Sequence, residues 1–135
     1  MKKSFIFLAI GILASTLILA QPKKNNVEVL YFKATLACCK ARACNTLEAE
    51  IKNIVEKNYP NGQVLFKQIK LDDAANKKLI EQYKAKSQTV IIVAKTKKKE
   101  YSKDVSDIIQ TYIQNQNKAL LEEQLKAKIN ELLKK

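Results

Sequence analysis

The stretch VEVLYFKATLACCKARACNTLEAEI, from Val27 to Ile51, contains every cysteine of the chain. Its opening residues, Val27–Phe32, are mostly apolar and rich in β-branched and aromatic side chains, which is typical of a short buried strand. Asn45 is a suitable helix N-cap, and Glu48 follows three residues later as in a capping box. The stretch therefore predicts a strand, an irregular segment and a helix, with the thiols at their junction: Cys38, Cys39 and Cys44.

The rest of the chain repeats this alternation of apolar strands and amphipathic helices. Helical periodicity follows Asp72-Asp73, a candidate helix cap. After the later strands it resumes over residues 104–135, with a break at the polar run Gln114–Asn117. A short strand is predicted near Glu100–Ser102. The order is β-α-β-α-β-β-α with an extra C-terminal helix, and such alternation favours parallel strand pairing through crossovers. The main strands of one central sheet are expected at Val27–Lys33, Val64–Leu71 and Gln88–Ala94.

Composition excludes several classes of function. The chain has no His, and with three cysteines it lacks the ligands of a typical zinc site; its two glycines exclude a Gly-rich phosphate loop. The net charge of +12 comes almost entirely from lysines that are dispersed along the chain, which argues against a nucleic-acid partner. A solvated basic surface is expected, and peripheral association with an anionic membrane stays open.

The N-terminus has the features of an export signal. Lys2 and Lys3 precede an apolar run, Phe5–Leu19, and a cleavage point is predicted between Ala20 and Gln21. We therefore predict a signal peptide at residues 1–20, a linker at 21–26 and a folded domain at 27–135, with an uncleaved N-terminal anchor as the alternative. The domain is expected in the periplasm or outside the cell, where disulfides persist.

The crowded thiols are the candidate catalytic residues. Unpaired N–H groups at a helix N-terminus and the positive charges of Lys33, Lys40 and Arg42 favour thiolate, the nucleophilic form of cysteine. Cys44 shares a helix face with apolar residues, so we predict it to be the buried resolving thiol. The exposed attacking thiol would then be Cys38 or Cys39. A bond between those two neighbours would close a strained small ring, so pairing of one of them with Cys44 is preferred.

A resemblance rests on Val29–Phe32, then Cys38 or Cys39 after five or six residues, then Cys44–Glu48. This region resembles the active site of thioredoxins. More narrowly it is similar to the small exported thioredoxin-like proteins linked to bacterial arsenic-resistance loci, some labelled nitrophenyl-compound nitroreductase subunits. The likeness extends to Leu71–Asn76 and Ala127–Leu133. It implies an α/β thioredoxin-like fold with a central four-stranded mixed sheet, flanking helices and an extra C-terminal helix.

Two departures from thioredoxins stand out. Four residues separate Cys39 from Cys44 and five separate Cys38 from Cys44, where thioredoxins have Cys-x-x-Cys. Thioredoxins also carry a cis-proline facing the cysteines, which helps to bind substrate and to exclude metal ions. Here the only prolines are Pro22 and Pro60, and Ser87-Gln88-Thr89 occupies the corresponding place. The missing proline favours the binding of a metal or metalloid ion.

Two functions follow, from different classes. The first is a thiol–disulfide oxidoreductase of the cell envelope, without a cofactor, acting as a monomer on protein thiols and disulfides or with a membrane reductase. The second is a soft-ion module that binds arsenite or Cu(I) through three thiolates, which select soft ions over hard ones. A non-catalytic domain with one structural disulfide is the third reading. All three use the same residues: Cys38, Cys39 and Cys44.

Overall fold

The structure is a computed structural model that describes the backbone of residues 27–35 and 38–135, and the side chains of 27–35 and 42–135. The predicted signal peptide at 1–20 and linker at 21–26 lie outside the described residues. The strands are β1 Val27–Lys33, β2 Val64–Lys70, β3 Val90–Lys95 and β4 Glu100–Asp104. The helices are α1 Cys38–Asn58, α2 Lys77–Tyr83, α3 Ser106–Asn115 and α4 Lys118–Leu133, with a 3-10 turn at Ala74–Asn76.

The strands form one mixed four-stranded sheet in the order β2-β1-β3-β4. Strand β1 is central: Val29 lies opposite Phe66 of the parallel strand β2 and opposite Ile92 of the antiparallel strand β3. Strands β3 and β4 are antiparallel. The four-stranded mixed sheet and the pairing of the first and third strands are confirmed, with small differences at strand ends.

Parallel pairing holds for β1 and β2 alone, and its extension to β3 is wrong. Because β3 runs antiparallel to β1 and β2, it begins at the same end of the sheet at which β2 finishes. The segment that connects β2 to β3 therefore does not need to run back along the length of the sheet. A seven-residue α2, about 10 Å long, is enough between these strands.

Alternation along β1 divides the core between the two faces of the sheet. Val27, Val29 and Tyr31 face α1, α3 and α4 in the larger cluster, whereas Leu30 and Phe32 face α2 in the smaller one. Helix α4 belongs to the larger cluster through four buried residues, namely Leu121, Leu125, Ile129 and Leu132. The C-terminal helix therefore packs against the sheet. Within the described residues, no helix is both long and apolar enough to cross a membrane.

Helix α1 begins earlier than the sequence pattern indicates. Its first residue is Cys38, so Asn45 lies inside the helix and the prediction of an N-cap there is wrong. Lys40-Ala41-Arg42-Ala43 consists of strong helix formers, so the helix extends through this segment although it lacks apolar periodicity. The Cys38 and Cys39 backbone consequently belongs to α1, not to the end of β1.

The predicted cap at Asp72-Asp73 and the predicted break at Gln114–Asn117 are both confirmed, with the cap on a 3-10 turn that leads into α2. The Asp73 carboxylate accepts a hydrogen bond from the Ala75 amide at 2.9 Å and so caps the 3-10 turn before α2. Helix α3 is followed by its C-cap, Gln116, which adopts a left-handed conformation with φ 53°. Asn117 then caps α4 by accepting from the Leu120 amide at 3.0 Å.

Candidate functional site

Cys44 lies in the second turn of α1, on the side that faces the sheet. Its relative exposure is 3%, and Leu47 and Ile51 on the same helix face are also buried. The predicted burial of Cys44 is therefore confirmed, and its cause is the helical period that places these three residues against β1. Cys44 forms no disulfide with any side chain that the structure describes.

Tyr31 fixes the position of Cys44 relative to the sheet. The Tyr31 ring is fully buried, and its hydroxyl donates a hydrogen bond of 3.1 Å to the backbone carbonyl of Cys44. Burial, followed by the neighbouring Cys44 thiol and the Glu48 carboxylate, raises the pKa of Tyr31 well above its ordinary value. Tyr31 therefore stays protonated and keeps its role as a donor at neutral pH.

The segment Ser87-Gln88-Thr89 lies against the Cys44 sulfur, as its place in the sequence predicts. The Gln88 side-chain amide donates to Cys44 Sγ with Nε2 at 3.4 Å, and Ser87 Oγ lies 3.9 Å from the same sulfur. Backbone hydrogen bonds of 2.9 Å hold the segment to β1, from the Gln88 amide to the Phe32 carbonyl and from the Phe32 amide to the Thr89 carbonyl. Two polar side chains thus converge on a buried sulfur.

The positive charge near Cys44 is smaller than the sequence predicts. Lys33, at the end of β1, donates to the Glu48 carboxylate of α1 at 2.7 Å, and both side chains are mostly buried. This ion pair neutralises the charge that was expected to favour thiolate. Arg42 is exposed and lines a cleft beside Cys44, so its charge is available there.

Two clefts flank the Cys44 turn of α1. One, of about 300 Å³, is lined by Cys44 itself and by polar residues that include Lys33, Thr35, Gln68 and Lys70. The other, of about 350 Å³, lies between α1, the Ser87–Thr89 segment and the end of α3, and its lining includes Arg42, Gln88, Ile113 and Gln116. Ile113 is the exposed large hydrophobic side chain of the described residues. The first cleft therefore reaches Cys44 itself, and the second reaches Gln88, which contacts the Cys44 sulfur.

The backbone of α1 sets the spacing of the three candidate cysteines. In a continuous helix, the Cα atoms of Cys39 and Cys44 lie about 9 Å apart and those of Cys38 and Cys44 about 10 Å apart. A disulfide requires Cα atoms within about 7 Å. The prediction that Cys38 or Cys39 lies within bonding reach of Cys44 is therefore wrong for this helical state. Either disulfide requires the start of α1 to unwind.

The side chains of Cys38 and Cys39 lie outside the described residues, so the three-thiolate soft-ion site does too. Among the side chains that the structure describes, no group of three His, Cys, Asp or Glu residues could hold a metal ion. Two partners of Cys44 were not predicted from the sequence: the Tyr31 hydroxyl and the Gln88 amide. The only feature of the sequence that could have predicted the Gln88 contact was that Ser87-Gln88-Thr89 stands where thioredoxins have a proline. Apart from its apolar neighbours, no feature of the sequence pointed to Tyr31 as a partner of Cys44.

No family model matches the chain, and no curated protein matches it. A solved structure described as the structure of a malarial protein is similar to it, with 27% sequence identity over 67% of this chain and 97% of that chain. The TM-score is 0.42, which does not establish a common fold.

Proposed function

We propose that this protein is a thioredoxin-like thiol–disulfide oxidoreductase of the cell envelope, with Cys44 as its buried thiol. The observation that carries the proposal is the environment of Cys44: a sulfur that is almost inaccessible yet contacted by the polar side chains of Ser87 and Gln88. A cysteine that only filled the core would have apolar neighbours around its sulfur. The order of the elements and the mixed sheet are consistent with a thioredoxin-like fold.

The reaction transfers two electrons by exchange. The thiolate of Cys38 or Cys39 attacks one sulfur of a partner disulfide, which forms a mixed disulfide and releases the other partner sulfur as a thiolate. The Cys44 thiolate then attacks the protein sulfur of that mixed disulfide. The second partner sulfur leaves, an intramolecular disulfide forms, and the partner is reduced while the protein is oxidised.

The exchange includes a change in the start of α1, because the helical spacing keeps Cys44 away from both other thiols. Lys40 and Arg42 place positive charge near the helix N-terminus, where the macrodipole disfavours it, and the first turn has no acidic residue. Both features weaken the segment before Cys44. When that segment unwinds, Asn45 is available as an N-cap for the shortened helix.

The sequence supports a location outside the cytoplasm for this activity. Residues 1–20 resemble a signal peptide, and an exported dithiol meets partners whose disulfides are stable. We propose protein disulfides or a membrane reductase as the partners of a monomeric enzyme. The link to arsenic-resistance loci rests on the resemblance described above.

Soft-ion binding by Cys38, Cys39 and Cys44 is the second candidate, and one observation favours it. The segment facing Cys44 is Ser87-Gln88-Thr89, with no proline to exclude an ion from the sulfur. Arsenite or Cu(I) would take the three thiolates as ligands. A structural disulfide is the remaining reading, and the experiment below separates all three.

The test compares single cysteine variants of the domain by intact mass, with a disulfide substrate and with arsenite or Cu(I). For an oxidoreductase, Cys44→Ser traps a mixed disulfide, and one of the two variants Cys38→Ser and Cys39→Ser leaves exchange nearly intact. For a soft-ion site, both of those variants lose binding of the ion. A domain that neither exchanges nor binds an ion, but carries a stable disulfide, would contradict both functions.

A further inference from the structure

Gln88 has an unusual backbone conformation for its residue type. Its φ is 68°, in the left-handed region that glycine adopts readily and other residues adopt at a cost. The Gln88 amide donates to the Phe32 carbonyl, and the Thr89 carbonyl accepts from the Phe32 amide. These two hydrogen bonds to the end of β1 hold Gln88 in this conformation. A glycine would fit the backbone with less strain, so the backbone conformation does not explain why a glutamine side chain is present at this position.

The Gln88 side chain makes its hydrogen bond to sulfur, with Nε2 at 3.4 Å from Cys44 Sγ. A neutral thiol is a weak acceptor, whereas a thiolate is charged and accepts a stronger hydrogen bond. In a disulfide the same sulfur carries no charge. The contact with Gln88 is therefore worth most when Cys44 is reduced and ionised.

We propose that Gln88 is a positioning residue that stabilises the Cys44 thiolate through this N–H···S hydrogen bond and thereby favours the reduced form of the protein. The inference deepens the proposed function and rests on it for its redox consequence. The relevant equilibrium is that of the protein disulfide and two glutathione molecules with the protein dithiol and oxidised glutathione. Loss of the Gln88 amide shifts this equilibrium toward the disulfide.

Gln116 provides a matched control in the same cleft. It is also a glutamine in the left-handed region, with φ 53°, and it lines the cleft together with Gln88. Its amide donates to the Tyr112 and Ile113 carbonyls, not to sulfur. The same substitution at either position therefore replaces a glutamine in the left-handed region and has the same effect on net charge. Of these two residues, only Gln88 contacts Cys44.

The experiment measures the glutathione equilibrium for the wild type and for Gln88→Glu, Gln88→Gly, Gln116→Glu and Gln116→Gly. Gln88→Gly removes the donor and suits the backbone, and Gln88→Glu keeps the size but replaces the donor with an acceptor. We expect both Gln88 variants to reduce the equilibrium constant for reduction by about tenfold, which is about 30 mV for two electrons. The Gln116 variants should change it less than about twofold. Equal effects at the two positions would overturn the inference.

A second measurement separates this inference from the proposed function. In a protein carrying Cys38→Ser and Cys39→Ser, only Cys44 reacts, and its rate of alkylation by iodoacetamide at fixed pH requires no disulfide chemistry. Gln88→Glu should slow that reaction about tenfold relative to Gln116→Glu, with unchanged circular dichroism. If the wild type forms no disulfide but this difference persists, the proposed function fails and the role of Gln88 stands. Equal alkylation rates would remove the role of Gln88 and leave the function open to its own test.

Discussion

The hydroxyl of Tyr31, on the central strand of the sheet, donates a hydrogen bond to the backbone carbonyl of Cys44 on α1. The two residues are 13 positions apart in the sequence, and the bond is buried. It connects the sheet to the turn of α1 that carries the thiol. The position of Cys44 therefore depends on β1 as well as on its own helix.

The first prediction removes this bond. Tyr31→Phe keeps the buried ring but loses the hydroxyl, so we expect the free energy of unfolding to fall by about 1 kcal/mol, as for other intramolecular hydrogen bonds. Urea denaturation followed by circular dichroism measures the change. Tyr101→Phe is the control, because the Tyr101 hydroxyl makes no hydrogen bond within the described part of the chain. A similar loss in both variants would contradict a specific role for the Tyr31 hydroxyl.

The second prediction concerns oxidation and α1. Because the helical spacing exceeds disulfide reach, oxidation should unwind the residues before Asn45, and far-ultraviolet circular dichroism should show a loss of helix. Hydrogen exchange should become faster in that segment while Leu47 and Ile51 stay protected. The double variant Cys38→Ser, Cys39→Ser serves as the control and should show no change with oxidant. Full retention of helix in a protein with a verified intramolecular disulfide would refute the required unwinding.

The third prediction concerns alkaline stability. Burial, together with the hydrogen bond to Glu100, raises the pKa of Tyr83 from 10.0 to about 12. The unfolded chain therefore loses the Tyr83 hydroxyl proton at lower pH than the folded chain does. The stability that Tyr83 contributes is thus complete below pH 10 and falls as the pH rises toward 12. Wild type should lose stability relative to Tyr83→Phe across that window. Urea denaturation of both proteins on either side of pH 10 tests this, and a pH-independent difference would contradict it.

The fourth prediction concerns acid. Burial raises the pKa of Glu28, but hydrogen bonds and charges from Lys67 and Lys95 outweigh it, and the net pKa lies below the ordinary 4.5. The stabilisation is therefore present above pH 4.5 and is lost as the pH falls through the lowered pKa of the folded state. Glu28→Gln should be less stable than wild type at neutral pH, with a gap that narrows in acid. A gap that widens in acid would show that the sign is wrong.

The fifth prediction tests the C-terminal helix. Leu125 is fully buried between α4 and the rest of the larger core, so Leu125→Ala should lower the free energy of unfolding by about 2–5 kcal/mol. Thermal and urea denaturation provide the measurement. Lys126→Ala, one position further along the helix, changes a side chain outside the core and should shift stability by less than about 0.5 kcal/mol. Near-native stability of Leu125→Ala would mean that α4 is dispensable for the fold.

Local patterns in the sequence determined several features of this protein. The apolar run Val27–Phe32 specified β1, the helical period specified that Cys44 is buried, and the polar run Gln114–Asn117 marked the break between α3 and α4. These features depend on residues within a few positions of one another, where propensity, capping and periodicity act. The order of strands and helices followed from the same local signals.

Only the tertiary structure decided the antiparallel direction of β3 and the partners of Cys44. Lys33 finds Glu48 fifteen positions away, and Gln88 finds the Cys44 sulfur across 44 positions. Such contacts depend on how the sheet and helices pack, because residues distant in sequence come together only when buried apolar faces fix the elements relative to one another. The sequence by itself therefore determined that a buried thiol lies beside β1, and the packing of the sheet decided which polar groups surround it.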